Sequence, residues 1–311
     1  MSAPPPPSPP LHSGFITLLG RPNTGKSTLL NALVGEPVAA VTPHPQTTRT
    51  HLLGILNRPQ GQIVLVDTPG VHRGRGSLSR QMLHSVHAGL EGRDLALLLA
   101  DVTRRLGAED ELALSFVRDP AAPPTFLLLN KIDRLPTPGA ILPIIAAWHQ
   151  KAPFAQVLPI SARRGDNLHR LLDLIWPLLP LGKPFFPPEQ HSGQPEQFLI
   201  SEIIREQAML LTGEEVPHTL AVRIEADESR PRRHAPLRVI HAALYCERPG
   251  QKAILIGNKG AMIRAIGTAA RQKLEAVLST PVFLQLQILV RPAWRDDPHF
   301  LAALDFRNNR G

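Results

Sequence analysis

One cysteine, Cys246, stands in 311 residues, so no disulfide can close within the chain and a reducing compartment is expected. It lies in the apolar stretch HAALYC, where a buried, inert thiol is expected rather than a nucleophile. No apolar run reaches the roughly 18 residues that a membrane span requires. The opening MSAPPPPSPP has neither a basic region nor an apolar core, which speaks against a secretory signal. It also lacks the Arg-rich amphipathic pattern of a transit peptide, and residues 1–13 read as a disordered, polyproline-type tail. Acidic residues are the scarcer sign, 26 Asp plus Glu against 34 Lys plus Arg, giving +8 and a pI near 10.3. That balance favours a polyanionic partner only weakly, since solvated surface charge gives the same count. With 43% apolar residues the chain can build two ordinary domains.

Between Gly14 and Leu179 short apolar β runs alternate with helical stretches. The runs are 15–19, 51–56, 62–66, 94–100, 125–129 and 156–160, with helices beginning near Lys26, Ser77, Gly107, Pro138 and Asn167. Continuous apolar runs suit parallel strands buried on both faces, so residues 14–179 are expected to form a doubly wound α/β domain. Residues 180–196, rich in Pro, Gly and Gln, read as a linker. A second texture follows over 197–295. A helix at 197–212 precedes strands at 218–226 and 237–246, a short helix, a turn, a long helix to Leu278 and a strand at 282–290. That order suits a small α+β RNA-binding domain with one sheet. Residues 227–236 read as a polar hairpin loop, and 296–311 as a partly ordered tail.

The chemistry lies at the ends of the β runs. Residues 20–27 read GRPNTGKS, a phosphate loop of the form G-x-x-x-x-G-K-S directly after FITLL. Gly20 and Gly25 let successive N–H groups turn toward a β-phosphate, while Arg21, Pro22, Asn23, Thr24 and Thr28 fill out the contact surface. Lys26 supplies a point charge between the β- and γ-phosphates, and the Ser27 hydroxyl ligates magnesium. DTPG follows QIVLV: Asp67 would hold magnesium through a water, Thr68 and Pro69 shape the turn, and the Gly70 N–H would bond the γ-phosphate. In NKID the Asp133 carboxylate can accept from guanine N1–H and N2, donors that adenine does not present in that arrangement. Asn130 would brace the loops and the Lys131 stem would lie over the base. From Ser161-Ala162-Arg163, the Ala162 N–H would bond guanine O6. The implied ligand is GTP with magnesium, and the catalytic set is Lys26, Asn23, Thr48 and Gly70. A kinase or ATPase is disfavoured by NKID.

Near the C-terminus IGNKG, residues 256–260, places a G-x-x-G turn between two helices. Such a turn lets an RNA backbone approach helix N-terminal amides. Ile256, Gly257, Asn258, Lys259, Gly260 and Arg264 are the candidate RNA residues. Ile254, Ile256, Ile263 and Ile266 would line an apolar groove for about four unstacked bases. Arg264, Arg271 and Lys273 are each either a phosphate contact or a solvated charge.

Taken together, GRPNTGKSTLLNALVG, QTTR, DTPG, NKID, SAR, SEIIRE at 201–206 and GQKAILIGNKGAMIRAIG at 250–267 resemble the Era family of bacterial ribosome-assembly GTPases. The resemblance spans about 14–296 and leaves out the Pro-rich tail and 227–236. It implies a type II KH domain that binds the 3′ end of 16S ribosomal RNA on the 30S subunit. It also implies a monomer, a cytoplasmic location, and Thr48 rather than Thr47 as the magnesium-sensing threonine of the switch segment 36–50. The basic charge permits peripheral contact with the inner membrane face, though no amphipathic anchor stands out. Val71 stands where Ras-type GTPases carry a water-orienting glutamine, so hydrolysis must use another arrangement. Asn23 resembles the asparagine with which related GTPases hold potassium; its alternative role is to shape the loop. In the SEIIRE helix, Ile203 and Ile204 are expected in the core and Arg205 facing solvent or RNA.

Overall fold

The computed structural model describes residues 11–304 apart from 73, 75, 120, 121, 233 and 234. The expected tail therefore lies, over residues 1–10, outside the described residues, as does 305–311 of the C-terminal segment. The chain forms two compact units: residues up to 38 with 51–72 and 86–193, and 39–50 with 73–85 and everything from 194 on.

The first unit carries a six-stranded sheet. Its strands are β1 (His12–Leu19), β2 (Leu52–Arg58), β3 (Gly61–Asp67), β4 (Leu95–Asp101), β5 (Thr125–Asn130) and β6 (Gln156–Ile160), in the order β2-β3-β1-β4-β5-β6. β3, β4 and β5 are buried along their whole length, which is why they read as unbroken apolar runs rather than alternating ones. All neighbours are parallel except β2 with β3, whose two-residue connection leaves room only for an antiparallel hairpin. The expectation of parallel pairing thus fails for β2. The helices along this part of the chain are α1 (Lys26–Val34), α2 (Ser77–Leu90), α3 (Ala108–Ser115), α4 (Ile141–His149) and α5 (Leu168–Ile175), of which α2 belongs to the second unit up to Ser85. The order of strands reverses beside β1, so the loop after β1 opens at the switch point where such sheets bind ligands.

Residues 180–193 are a strap rather than a free linker. The Leu11 and Pro180 carbonyls accept from Gly182 and Ser13, and Ile55 and Gly193 donate to the His191 and Leu53 carbonyls at 2.9 and 3.0 Å. Gln62 Oε1 accepts from the amides of Phe185 and Phe186 at 2.8 and 2.9 Å. Covering β2, the edge strand, removes a row of unpaired backbone groups. His12 and Ser13, expected in the tail, are the first residues of β1.

The second unit holds α6 (Glu196–Leu211), β7 (Ala221–Arg230), β8 (Leu237–Cys246), α7 (Pro249–Ile256), α8 (Ala261–Leu278), β9 (Val282–Val290) and α9 (Pro298–Leu304). The sheet order is β7-β8-β9, with β7 antiparallel and β9 parallel to β8. Ile200, Ile203 and Ile204 of α6, Leu255 of α7, and Ile266 and Leu274 of α8 bury against Val222, Ile240, Ala242 and Leu244 on one sheet face. Ala243 and Tyr245 face the other way, into a cluster with Trp294, Phe300 and Leu301. β7 runs on to Arg230, four residues into the expected loop, because Arg238 pairs across the hairpin with Asp227 through two 2.7 Å bonds. Residues 298–304 of the expected tail are helical. Cys246 is buried, as expected, and burial pushes its thiol pKa up. Among the described residues no helix is long and apolar enough to cross a membrane.

Candidate functional site

The phosphate loop bends through two left-handed residues, Asn23 at φ 63° and Gly25 at φ 98°, before α1 begins at Lys26. A side chain at Gly25 is sterically excluded, because a Cβ there would lie 2.3 Å from Asn130 Nδ2. At Gly20 the same atom would stand 2.5 Å from the Leu99 carbonyl oxygen. The loop is therefore pressed against the ends of β4 and β5. Lys26 folds back over it, Nζ donating to the Gly20 and Arg21 carbonyls at 3.1 and 3.0 Å. Burial pulls its ammonium down to about 8 against the opposing attraction of Asp67. An anionic ligand would reverse that pull.

Ser27 Oγ donates to Asp67 Oδ2 at 2.6 Å, so the two oxygens expected at one cation meet. Thr68 Oγ1 donates to the Leu18 carbonyl at 2.7 Å and the Val71 amide to the Gly20 carbonyl at 3.0 Å. A Cβ on Gly70 would fall 2.6 Å from Pro22 Cα. These contacts clamp DTPG onto the phosphate loop, and Val71 turns into the core at 1% exposure.

Asn130 ties three loops together. Its Nδ2 donates to the Thr24 carbonyl at 2.7 Å, and its Oδ1 accepts from the Lys131 and Ala162 amides at 2.8 and 2.9 Å. The Ala162 amide, expected to face guanine O6, is thus held by Asn130 instead. Lys131 Nζ spans from the Asn23 carbonyl at 2.7 Å to Asp101 Oδ2 at 2.6 Å. Against the upward pull of burial, the hydrogen bonds from Lys131 and Thr103 hold the Asp101 carboxyl below its ordinary value. Asp133 Oδ1 accepts from Ser161 Oγ at 2.7 Å. With three neutral bonds at about 1 kcal/mol each, Asn130→Ala should cost about 3 kcal/mol of stability. Urea denaturation checks this; a loss below about 1 kcal/mol would show that the loops hold themselves.

Arg21 does not present its guanidinium to a ligand. Nη1 pairs with Asp110 at 2.9 Å, and burial raises the Asp110 pKa. Arg163 is exposed on its loop. Thr48 belongs to the second unit, whereas Ser27 and Asp67 belong to the first. Asp101 escaped the sequence reading, although its place at the carboxyl end of β4 was the available signal.

In the second unit Gly257 (φ 69°, ψ 176°) ends α7 and Gly260 (φ 78°) starts α8, with Lys259 left-handed at φ 49° between them. Arg264 is held by its Nη2 on the Lys259 carbonyl at 3.0 Å. Of the expected groove residues, Ile254 is 47% exposed and Ile256 and Ile263 are half-buried, but Ile266 is core. Lys273 pairs with Glu206 at 2.6 Å, and Arg271 pairs with Glu275 at 3.0 Å. Arg205, expected at the surface, is 3% exposed and donates to the Thr47 carbonyl and to Glu202.

Comparison with known proteins identifies the modules. Residues 15–131 match the family described as 50S ribosome-binding GTPase, and 215–295 match the KH domain. The chain is 41% identical to GTPase Era of Geobacter metallireducens over 297 residues, covering 96% of this chain and 98% of that one. The chain belongs to the Era family of GTPases. It is 42% identical to GTPase Era of Stenotrophomonas maltophilia, again over 96% of this chain and 98% of that one. Two solved Era structures superpose with a TM-score of 0.90, each covering 95% of this chain and 99% of the other. One is a variant of Aquifex aeolicus Era bound to GDP·AlF4−, 36% identical. The other, 37% identical, is Era with MgGDPNP and nucleotides 1506–1542 of 16S ribosomal RNA. This Era-family chain is accordingly a GTPase, a P-loop GTPase domain followed by a KH domain.

Proposed function

We propose that this protein is a GTP-driven switch that binds the 3′ end of 16S ribosomal RNA and times a step in assembly of the 30S subunit. It would work in the cytoplasm as a monomer, through a nucleotide module at 14–179 and an RNA module at 197–295. One observation carries the switch: both chain segments that flank the phosphate-sensing residues pack with the RNA-binding unit. In the first, Arg205 donates to the Thr47 carbonyl, and Arg49 donates to the Leu220 and His218 carbonyls at 2.6 and 3.3 Å. The Arg49 guanidinium also lies 5.3 Å from the Trp294 ring centroid. In the second, Leu78 and Met82 of α2 bury among Ala243, Tyr245, Trp294 and Phe300. A γ-phosphate that reorders 39–50 or 73–85 must disturb these contacts, which is what couples two sites energetically.

In the nucleotide module Asp133 would read guanine, Lys26 would neutralise the β- and γ-phosphates and Gly70 would meet the γ-phosphate, while the three hydrogen bonds of Asn130 support its role in setting the loops. Ser27 Oγ and the Asp67 carboxylate offer two hard oxygens, a set that suits magnesium. Among the described residues no cluster of three or more His, Cys, Asp or Glu side chains could cage a metal, so phosphate oxygens would complete the shell. Magnesium there, sensed by Thr48 in the GTP state, would neutralise charge that develops on the β- and γ-oxygens. Asn23 would hold potassium in the same cradle. Turnover should then be several-fold faster in potassium than in sodium chloride, and equal rates would remove the ion from the scheme.

The RNA module supplies the second role. The family matched over residues 15–131 is described by the large subunit, whereas the solved relative carries small-subunit RNA. The G-x-x-G turn lies outside 15–131, so the RNA preference is read from the KH domain. The test compares affinity for a 16S 3′-end fragment in GDP and in a non-hydrolysable GTP analogue. Switching requires a difference of at least about 5-fold, the low end of allosteric coupling, and Arg205→Ala should shrink it. Equal affinities would leave a constitutive RNA-binding scaffold, and preference for 23S fragments would move the site of action to the large subunit.

A further inference from the structure

We propose that Asp101, which belongs to none of the nucleotide-binding motifs, is a positioning residue for the guanine base and acts by fixing Lys131 in place. This role rests on the GTPase site described above and adds a residue that sets how tightly the base is held. Asp101 ends β4 in register with Asn130 at the end of β5, and the Val102 amide donates to the Asn130 carbonyl at 3.1 Å. Its carboxylate, 6% exposed, therefore stands at the root of the NKID loop.

The two carboxylate oxygens have different partners. Oδ1 accepts from the Thr103 amide at 3.0 Å and from Thr103 Oγ1 at 2.6 Å, which folds the turn after β4. Oδ2 accepts from Lys131 Nζ at 2.6 Å. Burial pushes the Asp101 pKa up, but the hydrogen bonds from Lys131 and Thr103 outweigh it, so the group is a carboxylate at neutral pH. A charge in so closed a place needs a counter-charge, and Lys131 supplies it.

Lys131 is left-handed at φ 71° in the NKID loop, and its Nζ also donates to the Asn23 carbonyl of the phosphate loop at 2.7 Å. The apolar stem thus bridges two loops, with the side chain 22% exposed. A lysine stem is flexible, and a neutral carbonyl holds an ammonium less firmly than a carboxylate does. Without Asp101 the stem is free to rotate, and covering the face of the base would then cost the ordering of that side chain. Asp133 lies two residues on, so one loop meets both the edge and the face of the base. GDP and GTP carry the same base, so the effect falls on both alike and leaves the γ-phosphate chemistry alone.

The experiment uses the full chain with magnesium. Competition against a fluorescent GDP gives affinities for GTP and GDP, and turnover gives kcat and KM. The proteins are the wild type, Asp101→Asn, Thr103→Val, Lys131→Met and the double variant of Asp101→Asn with Lys131→Met. Asparagine keeps the shape and can still accept from Thr103, but it turns an amide donor toward the ammonium. We expect it to weaken GTP and GDP each by about 10-fold, the low end for a hydrogen bond between charged groups. KM should rise in step while kcat stays within threefold. On the Lys131→Met background, where the ammonium is already gone, Asp101→Asn should change affinity by less than twofold. Thr103→Val loses a bond on the Oδ1 side alone, so it should lower the urea midpoint and keep affinity within twofold. Unchanged affinity in Asp101→Asn overturns the proposal, as does a loss that persists in full on the Lys131→Met background. A loss in Thr103→Val as large as that in Asp101→Asn also overturns it, since Asp101 would then only support the turn. A wild type that takes ATP as readily as GTP would instead strike the underlying assignment of the site.

Discussion

Asp133→Asn should weaken GTP binding by about 100-fold and bring xanthosine triphosphate to within reach of the affinity GTP has now. Carboxylate and carboxamide have nearly the same shape, so the loop need not rearrange. The difference lies in what each oxygen position offers. Asp133 presents two acceptors, which suits the adjacent N1–H and N2 donors of guanine. The amide keeps one acceptor and turns the other position into a donor, which then faces the N2 amino group. One charge-assisted bond is lost and a donor–donor contact replaces it, together about 3 kcal/mol, or roughly 150-fold. Xanthine carries a carbonyl where guanine carries the amino group, so the same contact becomes favourable. Ser161 Oγ, 2.7 Å from Asp133 Oδ1, can still donate to an amide oxygen and should hold the side chain in place. Competition of both nucleotides against a fluorescent GDP on wild type and variant decides the matter. If the variant kept GTP within twofold, selectivity would reside elsewhere in the loops.

What was legible in the sequence was local. The phosphate loop, DTPG and NKID each follow a strand whose burial on both faces leaves an unbroken apolar run, so motif and strand announce one another. The order of elements over 196–290 was legible for the same reason: each is long enough for its period to show. What stayed hidden depends on contacts far apart in the chain. Arg205 sits beside two core isoleucines on a helix whose other neighbours are polar, and nothing local shows that Thr47, 158 positions away, accepts its hydrogen bond. The place of SAR after a strand points the Ala162 amide at the base. Only the folded chain shows Asn130 Oδ1 at 2.9 Å from it. Residues 180–193 have the composition of a linker, yet they are fixed by hydrogen bonds to β2 and β3, for which Pro and Gly at the turns are compatible. Composition reports how readily a segment bends and not what it lies against.

Gly260→Asp is expected to abolish binding of a 16S 3′-end fragment, by 100-fold or more, with little change in the fold. The two glycines of the turn differ, and a double substitution would hide it. Gly257 combines φ 69° with ψ 176°, a region that side chains avoid. A Cβ there would also stand 2.8 Å from the Met262 amide nitrogen. Replacing it would unseat the start of α8, so lost binding would say nothing about RNA contact. Gly260 is left-handed at φ 78° and ψ 18°, a conformation that aspartate adopts for about 1 kcal/mol, and the nearest atom to a Cβ, Ile263 Cγ2, is 3.9 Å away. The new carboxylate would lie at the N-terminus of α8, where the helix dipole favours a negative charge, which offsets part of the strain. For an RNA phosphate approaching the same amides the carboxylate is a direct competitor and a like charge. Loss of stability should therefore stay near 1 kcal/mol while affinity collapses. Gly260→Ala, with the strain but without the charge, should retain most of the binding. Thermal denaturation and filter binding on the three proteins separate the two effects. Aspartate and alanine variants that bind equally well would show that the turn does not meet the phosphate backbone.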